Sequence, residues 1–122
     1  MLFRSVLPIA LGPWAVSGPA IAIGKTALAD YEWAKAMRKR LEGEACRLDA
    51  ALAAARIEVI GGTSLFRLVR TSAAARLFDH LGHAGILVRR FPEHTAWLRM
   101  GLPSSESAWE RLLAALTEFF DQ

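Results

Sequence analysis

Apolar spacing along the chain changes period several times, and each change marks an element. Ser17 can cap a helix with Pro19 in its first turn, running to about Leu28. Asp30 then caps a longer helix in which Ala34, Met37, Leu41, Ala45, Leu48, Leu52 and Ala55 recur every three or four residues. Its opposite side carries Lys35, Arg38, Lys39, Glu42, Arg47 and Asp49, a mixture of signs expected of a solvated face. From Ile57 the period shortens. Ile57 to Ile60 and Leu65 to Val69 predict two strands, with Gly61-Gly62 as a turn or bulge between them. Thr71 or Ser72 caps a third helix with the stripe Ala74, Leu77, Phe78 and Leu81, ended by Gly82 and Gly85. Two further strands, Ile86 to Phe91 and Trp97 to Leu102, follow. Ser104 or Ser105 caps a last helix lined by Trp109, Leu112, Leu113, Leu116 and Phe120. Interleaved helices and strands in this order predict an α/β (α+β) fold, a small, largely antiparallel sheet packed with helices.

The second pair of strands carries the candidate chemistry. If the loop Pro92 to Ala96 closes a hairpin, Phe91 faces Trp97 and Arg89 faces Arg99. Like charges directly opposite each other destabilise a sheet, and an anion held between them would offset that cost. Arg90 then points to the other face. Arg67, Arg70 and Arg90 are expected to be solvated.

Composition narrows the alternatives. With 122 residues, 53% of them hydrophobic, the chain can bury one core and is expected to form a single domain. Fifteen basic against 12 acidic residues leave a net charge of +3. Because the arginines are scattered, a nucleic-acid partner is not expected. Cys46, the single cysteine, permits no internal disulfide and fits a reducing cytoplasm. The opening apolar run is broken by Pro8, Pro13 and Pro19, which argues against an export signal or a membrane span. Gly24-Lys25-Thr26 imitates the end of a phosphate-binding loop. The preceding Gly18 is one position too far away, so Lys25 is read as a helix-surface residue. His80, His83 and His94 show no ligand spacing and are expected at the surface, so no metal site is assigned.

The segments LGPWAVSGPAIAIGKTALAD, GGTSLFRLV, GILVRRFP and WLRMGLPSSESAWERLLAAL closely resemble the C-terminal part of the cobalamin-pathway threonine-phosphate decarboxylases. These are pyridoxal-phosphate enzymes of the aspartate-aminotransferase fold, close to the histidinol-phosphate aminotransferases. The resemblance covers nearly the whole chain from about Leu11. It implies that residues 1–16 are a segment leading in, and that 17–122 are an interdomain helix plus the C-terminal small domain. It assigns Arg99 to the substrate α-carboxylate, Arg89 to the substrate phosphate, and Ser17, near Trp14, to a polar contact at the active site. Arginine suits both anions because its guanidinium is permanently charged and presents a planar fork.

By the same resemblance, the Schiff-base lysine and the cofactor-binding residues belong to a large domain upstream. No catalytic or cofactor-binding residue is therefore expected in this chain, which alone should be inert and bind no pyridoxal phosphate. Its expected partners are a small anionic amino-acid phosphate and a missing large domain or second subunit, the family being homodimeric. In the complete enzyme the cofactor ring acts as electron sink while carbon dioxide departs, and the small domain fixes which substrate bond is aligned. Alternatives are the small domain of a histidinol-phosphate-type aminotransferase and a non-catalytic interaction module with this fold.

Overall fold

The computed structural model describes residues 16–120. They divide into two compact units, one ending at Ala36 and the other beginning at Met37. The first holds helix α1, Gly18–Ala29, and the opening turns of α2, Tyr31–Ala54. Ser17 caps α1 by accepting a hydrogen bond from the Ala20 amide, and Asp30 does the same for α2 through the Trp33 amide at 2.9 Å. Both caps stand where the sequence places them. α1 buries no side chain. The opening segment read above for export signals and for Trp14 lies outside the described residues.

The second unit continues α2 and adds β1, Glu58–Thr63, β2, Phe66–Arg70, and α3, Ala74–His83. It ends with β3, Arg89–Arg90, β4, Trp97–Gly101, and α4, Glu106–Phe120. The strands form one antiparallel sheet in the order β1-β2-β4-β3, the small helix-packed sheet expected of this α/β pattern. Side chains alternate across it. Val69, Leu98 and Met100 point to one face and are buried with Leu48 and Leu52 of α2, Leu77 and Leu81 of α3, and Trp109, Leu112, Leu116 and Phe119 of α4. Phe66, Leu68, Trp97 and Arg99 point the other way and stay partly exposed.

Several local details differ from expectation. Gly61 and Gly62 sit within β1, at a register shift between Val59 and Gly61, and the reversal comes later, at Ser64-Leu65. Gly62 has φ +152°, and a Cβ there would meet the Phe66 carbonyl, so glycine is required at that position. α3 has no side-chain cap of its own. Ala73 is its N-cap residue, while the Thr71 hydroxyl accepts from the Ala73 amide just outside. Its C-terminus follows the glycine expectation. Gly85, at φ +72°, donates to the Gly82 carbonyl, and the Ile86 amide donates to Leu81 at 2.8 Å, closing a Schellman motif.

That closure shortens the next strand. The Ile86 amide is spent on the helix end, and only Arg89 and Arg90 pair with β4, where the sequence had suggested pairing from Ile86 to Phe91. Leu87 and Val88 keep a strand-like alternation, the first exposed and the second buried, without a ladder partner. At the C-terminal end of α4 the buried aromatic is Phe119, while the expected Leu113 and Phe120 are 40% and 44% exposed. A stripe at helical spacing admits either neighbour, and contact with α3 selects one: Phe119 lies 5.4 Å from the His80 ring.

Candidate functional site

Opposition of the two arginines is settled by register. Arg89 pairs with Arg99 and Arg90 with Leu98 across β3 and β4. The turn from Phe91 to Trp97 is held by His94 N donating to Phe91 O and Trp97 N donating to His94 O, with the His94 ring stacked on Trp97 at 3.8 Å. Arg89 and Arg99 therefore lie side by side on the sheet face away from the helices, Arg89 on the edge strand and Arg99 one strand inward.

Each guanidinium rests on an aromatic ring. Arg99 lies 5.1 Å from the Phe66 centroid, Arg89 5.3 Å from Phe91, and Arg90, on the opposite face, 4.4 Å from Phe78 of α3. Among the described residues none of the three makes an ion pair or donates a side-chain hydrogen bond. Stacking occupies the face of a guanidinium and leaves its in-plane N–H groups free to fork onto an oxyanion.

These arginines line one open cleft of about 720 Å³, walled also by Leu65, Phe66, Phe78, Leu87, Val88 and Gly101. The cleft lies where Leu87 and Val88 part from the edge of β4, so the shortening of β3 opens it. No acidic residue belongs to this lining. The sequence reading placed Phe78 in an apolar helix stripe and Arg90 among solvated arginines, and it brought neither of them, nor Phe66, to this cleft. Nothing in a single sequence tells an aromatic platform under a cation from an ordinary core aromatic.

The remaining strand arginines are paired, contrary to expectation. Arg67 grips Asp49 of α2 with both prongs, Nε to Oδ1 at 2.5 Å and Nη2 to Oδ2 at 2.8 Å, and it also donates to the Thr63 carbonyl. Its side chain is only 15% exposed, so it ties the sheet to α2 rather than facing solvent. Its hydrogen bonds hold the Asp49 carboxyl below its ordinary range, against an upward push from partial burial. Arg70 bridges to Glu58 of β1 at 2.6 Å, and Arg47 of α2 to Glu106 of α4 at 2.7 Å. Both carboxyls are lowered by those hydrogen bonds. Arg47 and Asp49 thus leave the face read as solvated. Arg47 also covers the Trp109 ring at 4.4 Å, while Trp109 Nε1–H donates to Glu44 at 2.9 Å.

His80, expected at the surface, is half-buried and donates Nε2–H to the Ala115 carbonyl at 2.8 Å, joining α3 to α4. Ser17 belongs to the first unit, its hydroxyl engaged as the α1 cap. Among the described residues no helix is long and apolar enough to cross a membrane.

A profile of the aminotransferase class I and II family matches residues 3–116. The chain belongs to that family. It is 41% identical over 109 residues to a threonine-phosphate decarboxylase of Pseudomonas aeruginosa, covering 89% of this chain and 33% of that protein. To a threonine-phosphate decarboxylase of Sinorhizobium sp. it is 43% identical over 106 residues, covering 87% of this chain and 31% of that protein. The chain thus spans about a third of the length of the curated relatives it matches. Both the family and the relatives agree with the resemblance read from the hairpin and its following helix.

A pyridoxal-phosphate site needs an amine to condense with the aldehyde. The lysines, Lys25, Lys35 and Lys39, stand exposed on α1 and α2, and the arginine cleft contains none. The described residues that line the cleft therefore offer no amine for that aldehyde.

Proposed function

We propose that the chain is the C-terminal part of a pyridoxal-phosphate-dependent L-threonine-O-3-phosphate decarboxylase, the cytoplasmic enzyme that makes aminopropanol phosphate for cobalamin biosynthesis. Residues 17–122 act as interdomain helix and small domain, and the cofactor is held by parts of the enzyme outside these 122 residues, in a large domain or second subunit. Arg99 takes the substrate α-carboxylate, Arg89 the phosphate, and Ser17 adds a polar contact. One observation carries the reading: two guanidiniums opposed on the open face of the sheet, neither neutralised by a carboxylate among the described residues. A doubly anionic amino acid converts their mutual repulsion into two charge-assisted contacts. Holding a substrate at both ends fixes which of its bonds is aligned for cleavage.

Titration of the purified chain with L-threonine O-3-phosphate, followed by the arginine Nε–Hε resonances, tests the clamp. Arg99→Gln should remove the response to a carboxylate and Arg89→Gln the response to phosphate. Binding that ignores both substitutions refutes it. Added pyridoxal phosphate should form no stoichiometric lysine adduct with this chain, and a single-site adduct would overturn the placement of the cofactor elsewhere.

A further inference from the structure

We infer that Arg90 is a third cation of the same anion site and binds the phosphomonoester group of the ligand together with Arg89. The inference rests on the clamp reading and extends it to a residue whose strand position points away from Arg89. Arg89 and Arg90 are consecutive in a two-residue edge strand, so their side chains leave opposite faces of the sheet. In the middle of a sheet such neighbours could not share a ligand. At the edge they can, because both arginines line one cleft beside the unpaired Leu87 and Val88.

Arg90 is held for this task. Its guanidinium lies 4.4 Å from the Phe78 centroid, the shortest of the three stackings around the cleft, and Phe78 itself lines the cleft. Stacking restrains the long side chain and keeps its in-plane donors available. Arg67 of β2, opposite Met100, shows the alternative: it points toward the helices too, but Asp49 neutralises it. Arg90 finds no such partner among the described residues.

Charge matching points to the ligand class. Among the described residues, three arginines and no acid line the cleft. A carboxylate supplies one negative charge and a phosphomonoester close to two at neutral pH. One carboxylate for Arg99 and one phosphomonoester for Arg89 and Arg90 neutralise the cluster, whereas a dicarboxylate leaves one cation over. The site should therefore prefer phosphorylated over dicarboxylic ligands.

The test uses the full chain labelled with nitrogen-15 at arginine and titrated separately with inorganic phosphate and with acetate. Phosphate should shift the Arg89 and Arg90 side-chain resonances with one common midpoint. Arg90→Gln should weaken phosphate binding roughly ten- to a hundredfold, the worth of one charge-assisted hydrogen bond, and leave the acetate response at Arg99 unchanged. Arg90→Lys should recover part of the loss, since it restores the charge without the fork. Unchanged phosphate affinity in Arg90→Gln, with loss in Arg89→Gln, overturns the role of Arg90 and leaves the clamp standing. Indifference to both substitutions, or no phosphate response at all, removes the clamp as well.

Discussion

Replacing Arg89 by glutamine should make the folded chain more stable at low ionic strength in the absence of an anion, and this gain should vanish at high salt. Arg89 and Arg99 are directly opposed across β3 and β4, which puts their Cβ atoms about 5 Å apart, with the charged ends free to splay further. For unit charges about 7 Å apart the repulsion is roughly 0.6 kcal/mol at the dielectric constant of water and about 2.4 kcal/mol at an effective value of 20. Arg89 is exposed and Arg99 half-buried, so about 1 kcal/mol is the expected scale. Glutamine also forfeits the stacking on Phe91, worth about 0.5–1 kcal/mol at an exposed site, so the net change at a single salt concentration is small.

Salt separates the two effects. The repulsion is screened over a Debye length of about 30 Å at 0.01 M but only about 3 Å at 1 M, while ring stacking depends on salt far less. Urea denaturation of parent and variant at those two concentrations should therefore give stability differences that diverge by about 1 kcal/mol, the variant being favoured at low salt. Sodium chloride is the right salt, since phosphate would itself occupy the site and stabilise the parent by mass action. A stability difference that does not change with sodium chloride would refute the idea that the opposed arginines repel each other in the unliganded chain.

Three other outcomes follow from the packing. Trp109→Phe removes the donor to Glu44 and part of a fully buried side chain, and should cost about 2–3 kcal/mol by urea denaturation, with a smaller penalty when Glu44 is already alanine. Gly62→Ala forces a Cβ against the Phe66 carbonyl at a φ that disfavours side chains, and should cost about 2–3 kcal/mol, whereas Gly43→Ala, in open space on a helix, should not destabilise. The carboxyls of Asp49, Glu58 and Glu106 are all lowered in the folded state by their arginine partners. Their contribution to stability is therefore complete above the unfolded values near pH 4 and is lost as the pH falls through the lower folded values. The urea midpoint should drop below about pH 4, less steeply in Asp49→Asn, and a midpoint that rises on acidification would contradict the pairing.

Much of the scaffold is legible in the chain because it is written locally. Ser17, Asp30 and Ser105 cap helices within three residues of themselves, and the turn at Gly85 ends α3 through bonds spanning three and five. The register that opposes Arg89 to Arg99 is the one expected if the loop Pro92 to Ala96 closes a hairpin. The pairs Asp49–Arg67 and Arg47–Glu106 could not be read, because they join residues 18 and 59 positions apart through an arrangement of helices on the sheet that no local spacing encodes.

The arginines themselves are the clearest division between the two sources of information. Sequence alone predicted that Arg89 and Arg99 would be neighbours on the condition that the loop Pro92 to Ala96 closes a hairpin, since side-chain direction in a strand has a period of two, and the structure supplied that register. The sequence could not determine which strand arginines would be neutralised, and treated Arg67, Arg70 and Arg90 alike. Tertiary structure decided that: α2 brings Asp49 to Arg67, β1 brings Glu58 to Arg70, and α3 brings only an aromatic ring to Arg90. It decided the cleft too. The Ile86 amide closes the end of α3 instead of extending β3, and the cleft beside the unpaired Leu87 and Val88 is lined by the three arginines that find no carboxylate among the described residues.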